Sequence, residues 1–387
     1  MRFLFVKARL EWPRTYGHDV HCFEMMRALA ALGHEIALAT DATPQPQALD
    51  GLPLAESWTL NNDPAGEPVA LSYLQERYRS YWGIAPGRLS HLRQIADAWR
   101  ADVVVVVGLE ILPYLGAPTR ARRVWYAADE WVWHYVSQLK TDPGSAVAHV
   151  KAALIKGIYE RAYGPIMDGV WVVSDAERRA MRWVAGAKHV DVVPNGVDTS
   201  FFSPAAVTPA PRSAVFWGRL GFGPNLQALR WFCGEVWPLI RKDVPDATFA
   251  IVGADPPDEV RAYDGQHGMR VIANPIDIRP DISACSVVVM PFVSGGGIKN
   301  KFLEAAAMGR PIVATHLATR GLRSQPPVAM ADQPREFAAA VISLWSDAGR
   351  AASLGAAARE WVETHHTWRA TAEAALHGLD SISVRRG

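Results

Sequence analysis

Three consecutive glycines, Gly295, Gly296 and Gly297, are the residues of this chain whose type and spacing most directly indicate chemistry. They follow the apolar run Val287–Pro291, which predicts a buried strand, and precede a helix-favouring run from about Asn300 to Met308. A glycine turn that leads into a helix presents unpaired backbone N–H groups and the positive end of the helix dipole. The segment therefore predicts an anion-binding site, most often one for phosphate.

Charged residues surround this turn. Lys299 and Lys301 follow Ile298 and would add positive charge beside a bound anion. Glu304 is predicted to lie on the first turn of the helix, where its carboxylate could accept hydrogen bonds from a ribose. A structural explanation stays open, because glycines also allow tight packing in a βαβ crossover and a glutamate favours a helix start.

Short apolar strands alternate with amphipathic helices along the chain, a pattern typical of parallel βαβ units. The predicted strands are Arg2–Lys7, Glu35–Thr40, Val103–Val107, Arg123–Tyr126, Gly169–Val173, Ser213–Gly218, Thr248–Val252, Met269–Ile272, Val287–Pro291 and Pro311–Thr315. The predicted helices are His21–Leu32, Asn225–Val236 and a tail from Pro334 to about Ile382 with a break at 366–368. Residues 203–212 contain three prolines and no periodicity, which predicts a linker.

Composition narrows the class of protein. A chain of 387 residues that is 49% hydrophobic is expected to form two domains. The balance of 40 basic and 39 acidic residues disfavours nucleic acid as a partner. Three widely spaced cysteines predict neither a disulfide framework nor a zinc site. We expect a soluble cytoplasmic protein without a signal peptide or membrane helix, while 15 tryptophans leave peripheral membrane contact open.

Four segments carry a resemblance to a known family. They are the string 191–204, which reads Asp-Val-Val-Pro-Asn-Gly-Val-Asp-Thr-Ser-Phe-Phe-Ser-Pro, then Gly218-Arg219-Leu220, Ile251-Val252-Gly253 and residues 291–315. Together they resemble the retaining group 1 glycosyltransferases of GT-B fold over nearly the whole chain. Within that family, Pro224-Asn225 and the Asp-Ile-Arg-Pro segment at 277–280 are similar to bacterial sugar transferases of exopolysaccharide systems.

The resemblance implies an α/β chain with two Rossmann-like domains that face each other across a cleft. Residues 1–195 would form the acceptor domain, and about 366–387 would return to it as a C-terminal helix. Residues 196–365 would form the domain that binds the nucleotide-sugar donor. The active site of such a protein is expected at the carboxyl ends of both sheets.

The resemblance also assigns roles on the donor side. Family members usually carry two glutamates eight residues apart; Glu304 matches the second, which holds the ribose, and Gly296 stands at the first. Arg219 matches the arginine that contacts the diphosphate. The lysine that usually follows it is replaced within 221–225, so Lys299 or Lys301 could supply that charge while the other faces solvent. The backbone of the donor site would come from Gly218, Gly253, Gly295, Gly296, Gly297 and Ile298.

On the acceptor side, the loop after the first strand would border the nucleotide and the acceptor. Gly17 is carried over from the family as a donor-binding residue, and Arg14, His18 and Asp19 are candidates on the acceptor side. Asp129 is predicted to face the reacting sugar, or alternatively to cap a helix that begins at Glu130. The candidate His134 would lie one turn further along.

These residues predict a metal-independent transfer without a cofactor, because the sequence contains no Asp-x-Asp-type metal motif. The substrates would be a nucleotide-diphosphate sugar and a hydroxyl-bearing glycan, lipid-linked or small-molecule acceptor. In a retaining enzyme of this family the β-phosphate oxygen itself takes the acceptor proton, so no protein nucleophile is needed. Two alternatives stay open: a non-catalytic GT-B subunit that partners another transferase, and a UDP-sugar 2-epimerase. The nucleotide base and the oligomeric state are not predicted.

Overall fold

The protein forms two compact units. The computed structural model describes residues 1–12, 17–62, 68–117, 120–128, 132, 135–136, 139, 143–295 and 297–382. Unit 1 comprises Met1–Pro194 and Trp368–Gly387, and unit 2 comprises Asn195–Thr367. The chain therefore passes between the units at two points, 194/195 and 367/368.

The prediction of a linker at 203–212 is wrong. All of these residues belong to unit 2, and a strand already begins at Ala210. Contacts at its N-terminal end hold the segment to unit 2. Pro204 packs against Gly309, and Arg359 Nη1 donates a hydrogen bond to the carbonyl oxygen of Phe202 over 3.0 Å. Prolines mark an irregular segment here and do not mark a domain boundary.

Unit 1 is built on a seven-stranded parallel sheet with the order β3-β2-β1-β4-β5-β6-β7. Its strands are β1 Arg2–Lys7, β2 Glu35–Thr40, β3 Leu54–Thr59, β4 Val103–Val107, β5 Arg122–Ala128, β6 Gly169–Val172 and β7 Val190–Val192. Its α-helices are α1 Gly17–Ala31, α2 Pro46–Leu49, α3 Tyr73–Tyr81, α4 Pro86–Ala98, α5 Ala146–Tyr163 and α6 Asp175–Val184. Short 3₁₀ turns span Leu112–Gly116, Pro143–Ser145 and Gly164–Ile166.

The core of unit 1 follows from its central strand. All five valines of β4 are buried, as expected for a parallel strand that is covered on both faces. The predicted C-terminal return is confirmed. The ring of Trp368 lies 5.4 Å from that of His21 on α1, and the Thr371 hydroxyl donates to the carbonyl oxygen of Pro194 over 2.9 Å. The last helix thus completes unit 1.

Unit 2 is built on a six-stranded parallel sheet with the order β10-β9-β8-β11-β12-β13. Its strands are β8 Ala210–Arg219, β9 Thr248–Ala254, β10 Met269–Ala273, β11 Cys285–Met290, β12 Ile312–Ala314 and β13 Ala329–Met330. Its α-helices are α7 Gly223–Trp231, α8 Trp237–Asp243, α9 Asp258–Arg261, α10 Arg279–Ala284, α11 Asn300–Ala307, α12 Pro334–Ser346 and α13 Ala348–His365. A π-helical turn, Phe232–Val236, joins α7 to α8, and α14 Trp368–Asp380 belongs to unit 1.

The order of the strands in unit 2 creates a switch point. The first strand, β8, lies between β9 on one side and β11 on the other. The chain connections leave β8 and β11 in opposite directions, so a crevice opens at their carboxyl ends, where α/β proteins bind ligands. In the part of the chain that the structure describes, no helix has the length and apolar character needed to cross a bilayer.

Candidate functional site

The carboxyl edge of the unit 2 sheet is lined by backbone without side chains. Gly218 and Gly253 are register partners near the ends of β8 and β9, with φ of 138° and 153°. A Cβ atom on Gly253 would overlap the carbonyl oxygen of Gly218, so only glycine fits. In the turn after β11, a Cβ on Gly295 would lie 3.0 Å from the ring of Pro224. The absence of side chains at these glycines therefore lets the strand ends, the turn and α7 pack closely against one another.

Lys301 reaches across this edge from α11. Its Nζ donates to Oδ1 of Asn225 on α7 over 2.9 Å, and its side chain fills the space beside Gly218, where a Cβ atom would lie 2.5 Å from Cε of Lys301. The ammonium group lies 5.5 Å from the ring centre of Phe292 and 5.7 Å from that of Phe216. Burial lowers the pKa of Lys301 to about 8. A lysine from the glycine segment thus occupies the region where the family's second cation is missing from the sequence.

The second lysine of the segment lies beside the same aromatic ring. Nζ of Lys299 is 5.4 Å from the ring centre of Phe292 and donates to the carbonyl oxygen of Gly297 over 3.4 Å. Both lysines are half-buried, and which of them would meet an anion stays a prediction. Lys299 stands at the N-cap position of α11 without a side-chain capping bond, so the helical rule that separates neighbours two apart does not apply to this pair.

Glu304 lies deeper in its helix than the sequence suggested. Because α11 begins at Asn300, Glu304 is its fifth residue and falls in the second turn. Its Oε2 accepts a hydrogen bond of 2.8 Å from Nε1 of Trp217 at the end of β8. Burial raises the pKa of the Glu304 carboxyl, while the bond from Trp217 and the charge of Lys301 oppose the shift. The carboxylate is therefore held in one orientation beside the crevice.

Arg219 ends β8 with a side chain that is 52% exposed. Its Nε lies 3.5 Å from Oδ2 of Asp255, which follows β9 and is itself 68% exposed. An exposed ion pair of this kind is worth at most about 1 kcal/mol. The guanidinium thus lies partly in solvent at the strand ends, where an anion could contact it.

Asn195, from the Pro-Asn-Gly-Val-Asp string, supports the start of α11. Its side chain is buried and donates from Nδ2 to Oδ1 of Asn300 over 2.6 Å, while its carbonyl oxygen is 2.9 Å from Nδ1 of buried His366. The Oδ1 atom of Asn195 and the Oγ atom of Ser294 are both buried and have no hydrogen-bond partner among the described residues. Unused polar atoms thus accompany the glycine turn.

The sequence did not single out Trp217, Asn195 or Asn300 as individual site residues. Each acts through a partner distant in the chain, and only the general preference of a buried indole N–H for an acceptor could have pointed to Trp217.

The acceptor-side candidates give a different result. Asp129, Arg14, His134 and also Gly296 lie outside the described residues. Gly17 and His18 are the first two residues of α1.

Asp19 is buried and lies 2.9 Å from Nζ of Lys7 at the end of β1. This contact engages Asp19 within unit 1, and its direct contact with an acceptor stays a prediction. The described ranges also contain no group of three or more His, Cys, Asp or Glu residues arranged to hold a metal ion.

Both units match family descriptions. Residues 16–201 match the family described as Glycosyltransferase Family 4, and residues 211–347 match the family described as Glycosyl transferases group 1. The two matches are consecutive and together span most of the chain. Each falls almost entirely within one unit.

Solved structures share the fold at low sequence identity. HepE from Anabaena, solved with UDP and glucose, is 14% identical with a TM-score of 0.67 and covers 98% of this chain and 100% of its own. Sucrose-phosphate synthase from Thermosynechococcus elongatus is 16% identical with a TM-score of 0.71 and covers 99% and 100%. WaaG, described as a glycosyltransferase involved in lipopolysaccharide biosynthesis, is 13% identical with a TM-score of 0.60 and covers 100% of both chains.

One curated relative is similar by sequence. It is an uncharacterized 44.6 kDa protein in the cps region of Klebsiella pneumoniae, 26% identical over 118 residues. The match spans 28% of this chain and 30% of that protein. The family matches of both units and the two parallel-sheet domains lead to one conclusion: this chain belongs to the glycosyltransferases of GT-B fold.

Proposed function

We propose that the protein transfers a sugar from a nucleotide-diphosphate sugar to a hydroxyl acceptor with retention of configuration. One observation carries the proposal. At the switch point of unit 2, a glycine turn, two half-buried lysines and an oriented carboxylate gather at one edge of the sheet. A nucleoside diphosphate needs these groups: cations for the phosphates and a carboxylate for the ribose. HepE, which shares the fold, was solved with UDP-glucose.

Arg219 and Lys301 would neutralise the diphosphate together. Lys301 is already desolvated and held by a neutral amide, so an anion placed near it gains more than it would in water. The N-terminal end of α11 adds backbone N–H groups to the same region. Charge that develops on the leaving phosphate would therefore be stabilised by groups that are in place before the reaction.

Glu304 would accept hydrogen bonds from the ribose hydroxyls. One oxygen of its carboxylate is engaged by Trp217. Trp217 is 2% exposed, so the indole cannot swing away and the carboxylate keeps its direction. The other oxygen of Glu304, Oε1, would accept from the ribose. This division of the two oxygens supports the ribose role carried over from the family.

The chemical step would need no protein nucleophile. The sugar–phosphate bond breaks on the face at which the acceptor hydroxyl attacks, and the leaving β-phosphate oxygen takes the acceptor proton. The chain's own residues bind the donor, orient it and stabilise the leaving group. The donor would bind to unit 2 and the acceptor to unit 1, with Asp129 facing the reacting sugar and Arg14, His18, Asp19 and His134 on the acceptor side.

The acceptor class follows from the resemblance to bacterial exopolysaccharide transferases. We propose a hydroxyl-bearing glycan or lipid-linked sugar in polysaccharide or glycoconjugate synthesis. Such acceptors lie at membranes, which favours a cytoplasmic protein located peripherally at the inner face of the membrane. A non-catalytic subunit is favoured by Gly296 and by the absence of the usual lysine from 221–225, for which Lys301 would substitute.

Ligand-induced stabilisation tests the donor proposal. Thermal unfolding is measured with UDP, GDP and ADP, each without added metal. A nucleotide present at about 100 times its dissociation constant should add about 2.7 kcal/mol of stability. The shift in melting temperature caused by each nucleotide is compared between the wild type and Lys301→Met. If no nucleotide causes a larger shift in the wild type, the donor site is misassigned.

Turnover then separates a transferase from a binding subunit. We expect slow hydrolysis of one nucleotide sugar from a panel, and this hydrolysis should survive EDTA because cationic side chains replace a metal ion. Binding without any turnover would favour the non-catalytic subunit. Loss of turnover on chelation with recovery on adding manganese or magnesium would contradict the metal-independent mechanism.

A further inference from the structure

Helix α5 presents an apolar stripe to solvent. Val147, Val150, Leu154 and Ile158 are 85%, 46%, 63% and 50% exposed. Their spacing of three, four and four residues puts all four on one face of the helix. An ordinary surface helix turns such a face inward. Here the stripe faces outward along a helix of 18 residues, about 27 Å in length.

The opposite face of α5 is the one that is buried in unit 1. Ala153, Tyr159, Glu160 and Tyr163 are buried there, and the ring of Tyr159 stacks on that of Tyr78 at 4.1 Å. The helix is therefore already packed against its own unit, and the outward stripe is not needed for that packing. A large apolar face that remains after folding indicates an interaction surface.

The charges around the stripe are basic. Exposed Lys151 and Arg161 share its face, and the only acidic residue of α5 is the buried Glu160. On α6, exposed Arg179 and Arg182 share a helical face with exposed Asp175, so the uniformly positive charge belongs to α5. The stripe face of α5 thus combines aliphatic side chains with positive charge and carries no exposed carboxylate.

Aromatic side chains extend the surface on both sides of α5. Trp183 at the end of α6 is 77% exposed, and Nη1 of Arg161 donates to its carbonyl oxygen over 3.4 Å. On the other side, exposed Tyr81 at the end of α3 lies 6.2 Å from the ring of Tyr159. Tryptophan and tyrosine favour the boundary between lipid headgroups and acyl chains.

We propose that the stripe of α5, with Trp183 and the basic residues beside it, docks unit 1 on an anionic lipid bilayer. The helix would lie along the surface, with its four aliphatic side chains among the upper acyl chains and its lysine and arginine at the anionic headgroups. Charge complementarity selects this occupant. A second copy of the chain would bring the same positive charges against one another. The inference rests on the peripheral location proposed above.

Vesicle flotation measures the docking. The full chain, without donor or acceptor, is mixed with vesicles of phosphatidylcholine alone or of phosphatidylcholine with phosphatidylglycerol. We expect flotation only with the anionic vesicles, and at least about a tenfold loss of partitioning for Leu154→Ser/Ile158→Ser. The matched control is Val207→Ser in unit 2, another half-exposed aliphatic residue, which should float like wild type. Equal flotation of stripe variant and wild type would overturn the proposal.

Two further measurements distinguish the alternatives. Lys151→Glu/Arg161→Glu should weaken binding to anionic vesicles about tenfold or more. Sedimentation without lipid should give the same mass for wild type and Leu154→Ser. A dimer that this substitution dissociates would identify a second copy as the occupant and overturn the membrane assignment.

A probe on the intact stripe covers the case in which the serine variants unfold. The three native cysteines are buried, and burial raises the pKa of their thiols to about 12, 12 and 11 for Cys22, Cys233 and Cys285. Leu154→Cys can therefore be labelled selectively with a polarity-sensitive dye. Its emission should shift to the blue with anionic vesicles, and that of labelled Val207→Cys should not. No shift at position 154 would overturn the proposal. The donor assays contain no lipid, so either result leaves the transferase proposal untouched.

Discussion

A lysine lies at the carboxyl end of the first strand in each sheet, but the two lysines have partners of different charge. In unit 1, Lys7 at the end of β1 meets Asp19 at 2.9 Å, and the two side chains are only 9% and 4% exposed. In unit 2, Nζ of Lys301 near the end of β8 donates to the neutral amide of Asn225, and the carboxylate nearby, Glu304, is itself hydrogen-bonded to Trp217. The lysine at the strand end is thus paired with a carboxylate in unit 1, whereas in unit 2 it is held by an amide and stays available for an anion. Such side chains, more than the shared fold, indicate which edge can bind an anion.

The contrast predicts the largest effect for the internal pair. Lys7→Met leaves the buried carboxylate of Asp19 without its cation, which should lower the free energy of unfolding by about 3–5 kcal/mol. Urea-induced unfolding of the purified variant measures this. Nucleotide affinity at temperatures where the variant is folded should stay within about threefold of wild type, because that pair lies in unit 1.

The double variant Lys7→Met/Asp19→Leu is the control for this prediction. Removing both charges leaves no uncompensated carboxylate, so most of the lost stability should return. If the double variant is as unstable as the single one, the pair acts through packing and the comparison between the two edges loses its electrostatic basis.

The lysine of unit 2 should matter for catalysis. Lys301→Met is expected to lower kcat/KM for the donor about a hundredfold, as for the loss of one preorganised charge-stabilising group. Arg219→Ala should have a similar effect, because both cations would share the diphosphate.

Lys299→Met provides the matched control from the same segment. It should stay within about threefold of wild type, below about 0.7 kcal/mol in the barrier, because Nζ of Lys299 donates to the turn itself, at the carbonyl oxygen of Gly297. A loss confined to the Lys299 variant would exchange the roles of the two lysines. If both lysine variants remain near wild type, the diphosphate is neutralised elsewhere, with Arg14 as the next candidate.

Glu304 tests the ribose contact on the same edge. Glu304→Ala should weaken nucleotide binding by roughly 1.5–3 kcal/mol, since a charged hydrogen-bond partner is lost. Titration calorimetry with UDP, or with whichever nucleotide stabilises the protein, measures this change. A folded variant with unaltered affinity would contradict the assignment.

The smallest expected effect concerns the pH dependence of nucleotide binding. Burial lowers the pKa of Lys301 from 10.5 to about 8 in the folded protein, so Nζ loses its proton as pH rises past 8. Affinity for a diphosphate should therefore fall above about pH 8, by at most about tenfold per pH unit. The free protein should gain stability over the same window, because the unfolded state binds the extra proton up to pH 10.5. Lys301→Met should flatten both profiles.

Local sequence patterns account for most of the fold. β1, β2 and β4 were predicted to the residue, because each is a short apolar run that is buried almost throughout. β3 was missed since most of its side chains are exposed and it carries no such run. For the donor edge, the glycines and lysines of one segment were predicted together. Trp217 and Asn195 were not, because each reaches a partner 87 or 105 residues away, which no local pattern reports.

The division of unit 1 has a consequence for its order of assembly. Its first part ends at Pro194. The helix that packs on α1 is α14, which is synthesised only after all of unit 2. Chains emerge from the ribosome N-terminal end first. During synthesis unit 2 therefore has all its residues before unit 1 does. During that interval the surface of α1 around His21 is not yet covered by α14. A chaperone could therefore bind it while unit 1 is incomplete and unit 2 already has all its residues.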